Sequence, residues 1–227
     1  MRALIVGAAA VATERFLADL AVRCDLVIAA DGGGGACLSA GVAPNVVVGD
    51  LDSLDAADER CLRTAGTSFV IAPVDKDVSD FDLALDEARR AGATEVWATG
   101  VFGQRLDHTL ASIGSLVRCA DMGPSVREPD VTAWLLSPLG RSRLALCGKG
   151  EIVSLFAVSP GARVSCDGYR YPLVRETLPA LDSRGLSNVI EAAVATIEVF
   201  DGAILALCVL TNGMPPASEC DTRENNE

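Results

Sequence analysis

Along the first half of the chain, short apolar runs alternate with stretches whose apolar residues recur at helical spacing. The runs at 4–6, 26–30, 46–48, 69–72 and 96–99 predict strands, and the stretches at 14–23, 35–40, 56–65, 80–91 and 107–120 predict helices. Gly41, Gly66 and Gly92 close three of these helices, as expected where the backbone turns left-handed after the last helical residue. Strands that are apolar throughout, rather than at every second position, are buried on both faces. The pattern therefore predicts a mostly parallel α/β sheet covered by helices.

After Gly123-Pro124 the texture changes. Segments 131–136, 143–147, 152–158, 162–166, 189–200 and 203–210 read as strands with no room for helices between them, and Asp201-Gly202 is a strong hairpin signal. This half predicts an all-β domain, a sandwich or partial barrel. The expected organisation is an α/β domain over 1–128, a β-sandwich-like domain over 129–214 and a disordered polar tail over 215–227. No internal repeat is visible.

The 227 residues carry 19 basic and 31 acidic side chains, a net charge of −12, which excludes a nucleic-acid binder that grips phosphates over a broad basic face. No apolar stretch reaches the ~18–20 residues of a spanning helix, so no membrane partner is expected. The apolar run after Arg2 could pass for a leader. It reads better as a first buried strand and its turn, because Glu14, Arg15 and Asp19 continue directly as an amphipathic helix. The eight cysteines form no CxxC pair, which signals neither zinc nor a disulfide framework and predicts reduced thiols in a cytoplasmic protein. Lys76 and Lys149 are the only lysines.

The candidate chemistry gathers where predicted strands end, the edge at which open α/β sheets bind ligands. These loops are Asp31-Gly32-Gly33-Gly34-Gly35, Gly49-Asp50-Leu51-Asp52-Ser53, the segment from Asp75 through Lys76, Asp77, Ser79 and Asp80 to Asp82, and Gly103-Gln104-Arg105-Leu106-Asp107-His108. Each has a bland reading: the glycines as a turn, Asp50 and Asp52 as turn or capping residues, Asp80 and Asp107 as helix N-caps, and His108 as a helix-start residue. The glycine run also lacks both the GxGxxG and P-loop patterns, although its bare backbone would let a nucleotide approach. Together, however, converging carboxylates at 50, 52, 77, 80 and 107 would repel one another. A bound Mg²⁺ resolves the repulsion, and Asp50 with Asp52 at i, i+2 suits a hard cation. Lys76 and Arg105 then supply positive charge for phosphate oxygens, which points to nucleoside-triphosphate chemistry.

In this order the motifs resemble those of the thiamine pyrophosphokinase family: Asp31-Gly32-Gly33, Gly49-Asp50-Leu51-Asp52-Ser53, Lys76-Asp77-Val78-Ser79-Asp80 and the Gly103-to-His108 segment. Tyr171-Pro172-Leu173 and Gly185-Leu186-Ser187-Asn188 follow in the β half. The likeness runs to about residue 210. It departs at Gly35, where Asn is usual, at Gln104 for Gly, at Ser79 for Thr and at Asp82 for Glu. The resemblance implies transfer of the diphosphoryl group of ATP to the hydroxyl of thiamine, giving thiamine diphosphate and AMP. It also implies a homodimer whose sites are shared between chains. Metal ligation then falls to Asp50, Asp52 and Asp80. Nucleotide binding falls to Asp31, Gly32, Gly33, Asp50, Arg105 and His108, and catalysis to Lys76, Asp77, Asp80, Arg105 and Asp107, with Asp77 or Asp80 as the base. Thiamine binding falls to Ser187, Asn188 and Asp80. A diphosphokinase of another heterocyclic alcohol, such as a hydroxymethylpterin, and a non-catalytic thiamine- or nucleotide-binding module are the alternatives.

Overall fold

The computed structural model describes residues 1–9, 13–73, 75, 77–103, 105–209 and 218–220. The chain divides into two compact units, Met1–Pro129 and Asp130–Glu227. No helix among the described residues is long and apolar enough to cross a membrane.

In the first unit β1 (Arg2–Val6), β2 (Leu26–Ala30), β3 (Val46–Gly49), β4 (Ser68–Ile71), β5 (Glu95–Thr99) and β6 (Ser125–Arg127) alternate with five helices. These are α1 (Glu14–Ala21), α2 (Gly33–Ser39), α3 (Ala56–Thr64), α4 (Asp80–Arg90) and α5 (Leu106–Arg118). The strands run parallel in the order β6-β5-β1-β2-β3-β4. Connections from β1 wind outward to β4, then return to β5 on the other side of β1. The strand order therefore reverses between β1 and β5, and loops on both sides of that point face one crevice at the carboxyl edge. Leu4, Ile5, Ile28, Val47 and Val96 in the central strands are fully buried, which is why these strands are apolar at every position.

The helix ends correct two expectations. The N-cap of α4 is Ser79, which forms a capping box with Asp82, while Asp80 occupies the first helical turn. The N-cap position of α5 is Arg105, with no side-chain cap, and Asp107 lies in the first helical turn. Both aspartates are thereby released from capping.

The second unit contains β7 (Val131–Leu136), β8 (Arg143–Cys147), β9 (Ile152–Ala157), β10 (Arg163–Asp167), β11 (Leu173–Thr177), β12 (Asn188–Val189), β13 (Ala195–Asp201), β14 (Ile204–Val209) and β15 (Ser218–Glu219). They form two antiparallel sheets, β12-β9-β14-β7 and β11-β10-β13-β8-β15. Trp134, Leu155 and Ile204 from the first meet Leu146, Val164 and Ile197 from the second in one core. The strand expected over 189–200 is two strands, because the amides of Glu191 and Ala192 turn aside to the Gly168 carbonyl.

Two readings of the C-terminal part are overturned. Ser218 and Glu219, expected in a disordered tail, pair with β8, and Cys220 is bonded to Cys147 rather than reduced. The Glu219 carboxylate accepts from Trp134 Nε1 at 2.6 Å and pairs with Arg141 at 2.5 Å, so the segment has side-chain as well as backbone anchors. The other six cysteines are free thiols, and the remaining tail positions lie outside the described residues.

Candidate active site

Four loops at the carboxyl edge of the parallel sheet touch one another. The amide of Ala9, after β1, donates to the Gly100 carbonyl after β5, and a Cβ on Gly7 would stand 2.3 Å from that same oxygen. A Cβ on Gly32 would meet Ala8 and Ser53 at 3.3 Å, and one on Gly103 would meet Ala9 at 2.9 Å. The segments after β1, β2, β3 and β5 thus line one crevice at the point where strand order reverses.

Three carboxylates converge there. One oxygen from each of Asp31, Asp50 and Asp52 lies within 4.8 Å of the other two. Asp31 follows β2 with a left-handed φ of 44° and is buried, and its Oδ1 accepts no hydrogen bond among the described residues. Burial raises its pKa, hydrogen bonding from Ser53 opposes the rise, and the charges of Asp80 and Asp52 add to it. Asp50 is half-buried and accepts from the Asp52 amide at 3.2 Å, while exposed Asp52 accepts from Ser53 Oγ at 2.9 Å. That local turn, with Leu51 at φ 67°, brings the two carboxylates to the same side. Asp80 borders the trio: a Cβ on Gly49 would stand 3.0 Å from both Asp31 Cβ and Asp80 Oδ1. The metal set expected from sequence was Asp50, Asp52 and Asp80. The grouped set includes Asp31, with Asp80 at its edge.

A hard divalent cation fits this donor set. It takes carboxylate oxygens, and the buried acceptor on Asp31 that protein donors leave unused is the group such an ion would satisfy.

At the start of α5, Arg105 makes a two-pronged pair with Asp107, at 3.2 Å from Nε and 2.6 Å from the terminal nitrogen. The hydrogen bonds from Arg105 hold the Asp107 pKa down to about 2; desolvation opposes them, and hydrogen bonding from the His108 amide adds to the lowering. Both side chains are exposed. An exposed guanidinium held at one face by its own carboxylate still offers its remaining N–H groups to an incoming anion. His108 is exposed at the start of α5, and Asp77 is exposed in the loop before α4, outside the trio. Lys76 and Gln104 lie outside the described residues.

The glycine run has a packing role. Gly33 is buried, and a Cβ there would stand 2.1 Å from the Val6 carbonyl, so α2 can lie on β1 only without a side chain at this position. Gly32 is half-buried and faces the crevice.

In the second unit Asn188 is buried, and its amide is used internally. Oδ1 accepts from the Tyr171 amide at 3.0 Å, and Nδ2 donates to the Tyr171 carbonyl at 2.7 Å. Asn188 therefore fixes the Tyr171-Pro172-Leu173 segment, leaving Tyr171 itself exposed. Ser187 is exposed with φ 56°, its amide bonded to Ser154 Oγ.

Sequence reasoning missed Glu128. It is buried directly after β6 and accepts from Thr99 Oγ1 and the amides of Gly100, Val101 and Phe102 at 3.0–3.2 Å. No motif marks it. Its one signal is an acidic residue directly before a proline at a domain junction.

Fold and site together define an α/β domain with a carboxylate-lined crevice where the strand order reverses, and the comparisons point to the diphosphotransferase class. Residues 17–127 match the family model described as thiamin pyrophosphokinase, catalytic domain. Thiamine pyrophosphokinase of Bacillus subtilis (strain 168) is 27% identical over 150 residues, covering 65% of this chain and 70% of that protein. Thiamine pyrophosphokinase 2 of Arabidopsis thaliana is 22% identical over 181 residues, covering 76% and 68%. The crystal structure of thiamine pyrophosphokinase from Bacillus subtilis superposes with a TM-score of 0.79 at 21% identity, covering 93% of this chain and all of that one. Residues 17–127 thus match the thiamin pyrophosphokinase catalytic domain, and the chain is similar to thiamine pyrophosphokinases in sequence and in fold.

Proposed function

We propose that this chain transfers the β,γ-diphosphoryl group of ATP to the hydroxyethyl oxygen of thiamine. The thiamine oxygen attacks the β-phosphorus, the bond from that phosphorus to the α,β-bridging oxygen breaks, and AMP departs with the bridging oxygen. The observation that carries the reading is the carboxylate trio Asp31, Asp50 and Asp52 beside Asp80, at the crevice that also receives the Arg105 loop. Names of the relatives supply the acceptor and the group transferred; the crevice supplies chemistry that suits them.

Asp31, Asp50 and Asp52 would hold Mg²⁺, with Asp80 at the margin. A bound Mg²⁺ supplies charge neutralisation for phosphate oxygens. Arg105 binds and orients the transferred phosphates, and Asp107 fixes its guanidinium in one orientation. Asp80 is the candidate to accept the hydroxyl proton, because it borders the carboxylate trio while Asp77 stands outside it. Excess negative charge at the crevice suits a cationic thiazolium.

The second unit is proposed to receive thiamine through the Tyr171 segment and Ser187, in a homodimer whose sites draw on both chains. Tyr171, Val174 and Leu186 present exposed apolar surface of the kind a second protomer covers. A cytoplasmic setting completes the reading: six of the eight cysteines are free thiols, and the Cys147–Cys220 bridge is the feature that stands against a reducing compartment.

The test is incubation of purified protein with ATP, Mg²⁺ and a panel of hydroxylated heterocycles, with AMP as the readout. AMP release dependent on thiamine is expected. Release with a hydroxymethylpterin instead would reassign the acceptor, and release with none would leave a binding module. Mixing Asp50→Asn with a Ser187 variant under subunit exchange tests the shared site, since heterodimers should regain one intact site.

A further inference from the structure

The loop between β5 and α5 leaves the sheet at Gly100, which has a left-handed φ of 67°, and reaches Arg105 five residues later. The amides of Val101 and Phe102 point inward, away from any strand ladder. A buried amide without an acceptor is costly, so this stretch can hold its shape only if something receives its donors.

Glu128 receives them. One carboxylate oxygen takes Thr99 Oγ1 at 3.1 Å and the Gly100 amide at 3.1 Å. The other takes the Val101 amide at 3.0 Å and the Phe102 amide at 3.2 Å. Three consecutive amides and a hydroxyl converge on one carboxylate that is 2% exposed. Only a carboxylate fits, because it accepts at both oxygens. A glutamine would aim its NH₂ at two donors. Burial pushes the Glu128 pKa up, and the four donors oppose that rise by stabilising the anion. The anchored stretch is tied onward at both ends of the crevice. Gly100 carries the carbonyl that receives the Ala9 amide, and the Gly103 amide donates to Thr109 Oγ1 in α5 at 3.3 Å.

We propose that Glu128 is a positioning residue for diphosphoryl transfer: by fixing Gly100, Val101 and Phe102 it sets Arg105 where the transferred phosphates bind. This rests on the proposed function, in which Arg105 faces phosphate. Glu128 touches no substrate, and it acts through the loop.

The experiment measures thiamine-dependent AMP release for the parent, Glu128→Gln, Arg105→Ala, the double variant Glu128→Gln/Arg105→Ala and the control Leu20→Ala. Leu20 is a buried core residue near the C-terminal end of α1, away from the crevice, and its truncation lowers stability without touching the loop. At a temperature where each protein is folded, Glu128→Gln should lose kcat on the order of tenfold to a hundredfold with thiamine KM unchanged. Leu20→Ala should keep the parental kcat. The double variant should be no slower than Arg105→Ala, because both changes remove the same service. Parental kcat in Glu128→Gln, or losses that multiply in the double variant, overturns the inference while the functional reading stands. A parent that releases no AMP with thiamine overturns the functional reading and the inference with it. If Glu128→Gln does not fold, Thr99→Val removes a single donor and should lower kcat several-fold in the same direction; parental kcat there overturns the inference equally.

Discussion

Replacing Asp31 by Asn removes one negative charge from the trio and keeps the side chain's shape. Asparagine also tolerates the left-handed φ of 44° at this position. With oxygens at 4.8 Å or less, each like-charge pair costs about 0.9 kcal/mol at the dielectric of water and about 3.5 kcal/mol at an effective value near 20. Asp31 is buried, Asp50 half-buried and Asp52 exposed, so the two pairs lie between these limits, at roughly 1–2 kcal/mol each. Weakening the hydrogen bonding from Ser53, now to a neutral group, returns ~1 kcal/mol. The metal-free variant should therefore be more stable by ~1–3 kcal/mol, a rise in Tm of ~2–12 °C for a chain of this size. The gain depends on pH with a definite sign. The folded-state pKa of Asp31 is raised, so its ionisation costs stability. That cost is absent below the ordinary aspartate value of ~3.9, where folded and unfolded chains are both protonated, and it is complete once pH exceeds the raised folded value. The Tm difference should be full at neutral pH and should shrink as pH falls through that window. Thermal melts in chelator and in saturating Mg²⁺ give the companion result. At a hundredfold excess over Kd, Mg²⁺ should stabilise the parent by ~2.7 kcal/mol and the variant much less. An unchanged or lower metal-free Tm for Asp31→Asn, together with an intact Mg²⁺ shift, would falsify the metal-site assignment.

Arg105→Ala should lower kcat far more than ATP KM, since phosphate charge peaks in the transition state, and the Asp107 pKa should rise from about 2 toward the ordinary carboxylate range by NMR titration; parental kcat would make Arg105 a surface residue. Asn188→Ala should raise thiamine KM several-fold while leaving ATP KM alone, because it releases both backbone groups of Tyr171 at ~0.5–1.5 kcal/mol each; equal effects on the two KM values would refute a local role. Reducing Cys147–Cys220 should cost ~2–4 kcal/mol, since the bridge closes a span of 73 residues. Melts with and without a thiol reductant check this, with Cys147→Ser as the control, and coincident curves would mean the bridge contributes nothing to stability.

The strands β1, β2, β3 and β5 were legible because burial on both faces forces a continuous apolar run, whereas β4, at the sheet edge, is exposed at three of its four positions and was legible only through its apolar residues. Elements that depend on distant partners were not. β6 is three residues with little apolar signal, and it exists because β5 offers it an edge. β11 is largely exposed and is held by pairing with β10, so its sequence shows no inward stripe. The Cys147–Cys220 bond joins residues 73 positions apart, and no spacing rule singles out that pair among eight cysteines. At the site, the strand-end loops and their carboxylates were legible as a group, whereas the membership of the trio was not. The i, i+2 spacing of Asp50 and Asp52 is local, but the choice of Asp31 over Asp80 as the third member depends on the neighbouring strand β2.

Leu51 shows how that geometry is maintained. A bulky non-glycine residue at φ 67° carries strain of order 1–3 kcal/mol, and a glycine would remove it. Yet Leu51 is partly buried against the core cluster containing Leu54 and Leu62, so its apolar contact offsets the strain and pins the turn. The pinned turn is the one in which the Asp52 amide reaches Asp50 Oδ1 and both carboxylates point the same way. Repulsion within the trio would spread those carboxylates if the turn were free. A side chain that holds the backbone in an unfavourable region is therefore what keeps the charges together until a cation or a substrate counter-charge arrives. Glu128 serves the neighbouring loop on the same principle, with buried hydrogen bonds in place of apolar contact. In both loops the group that fixes the backbone lies outside the set that meets the ligand, which is why a reading of motifs alone passes over it.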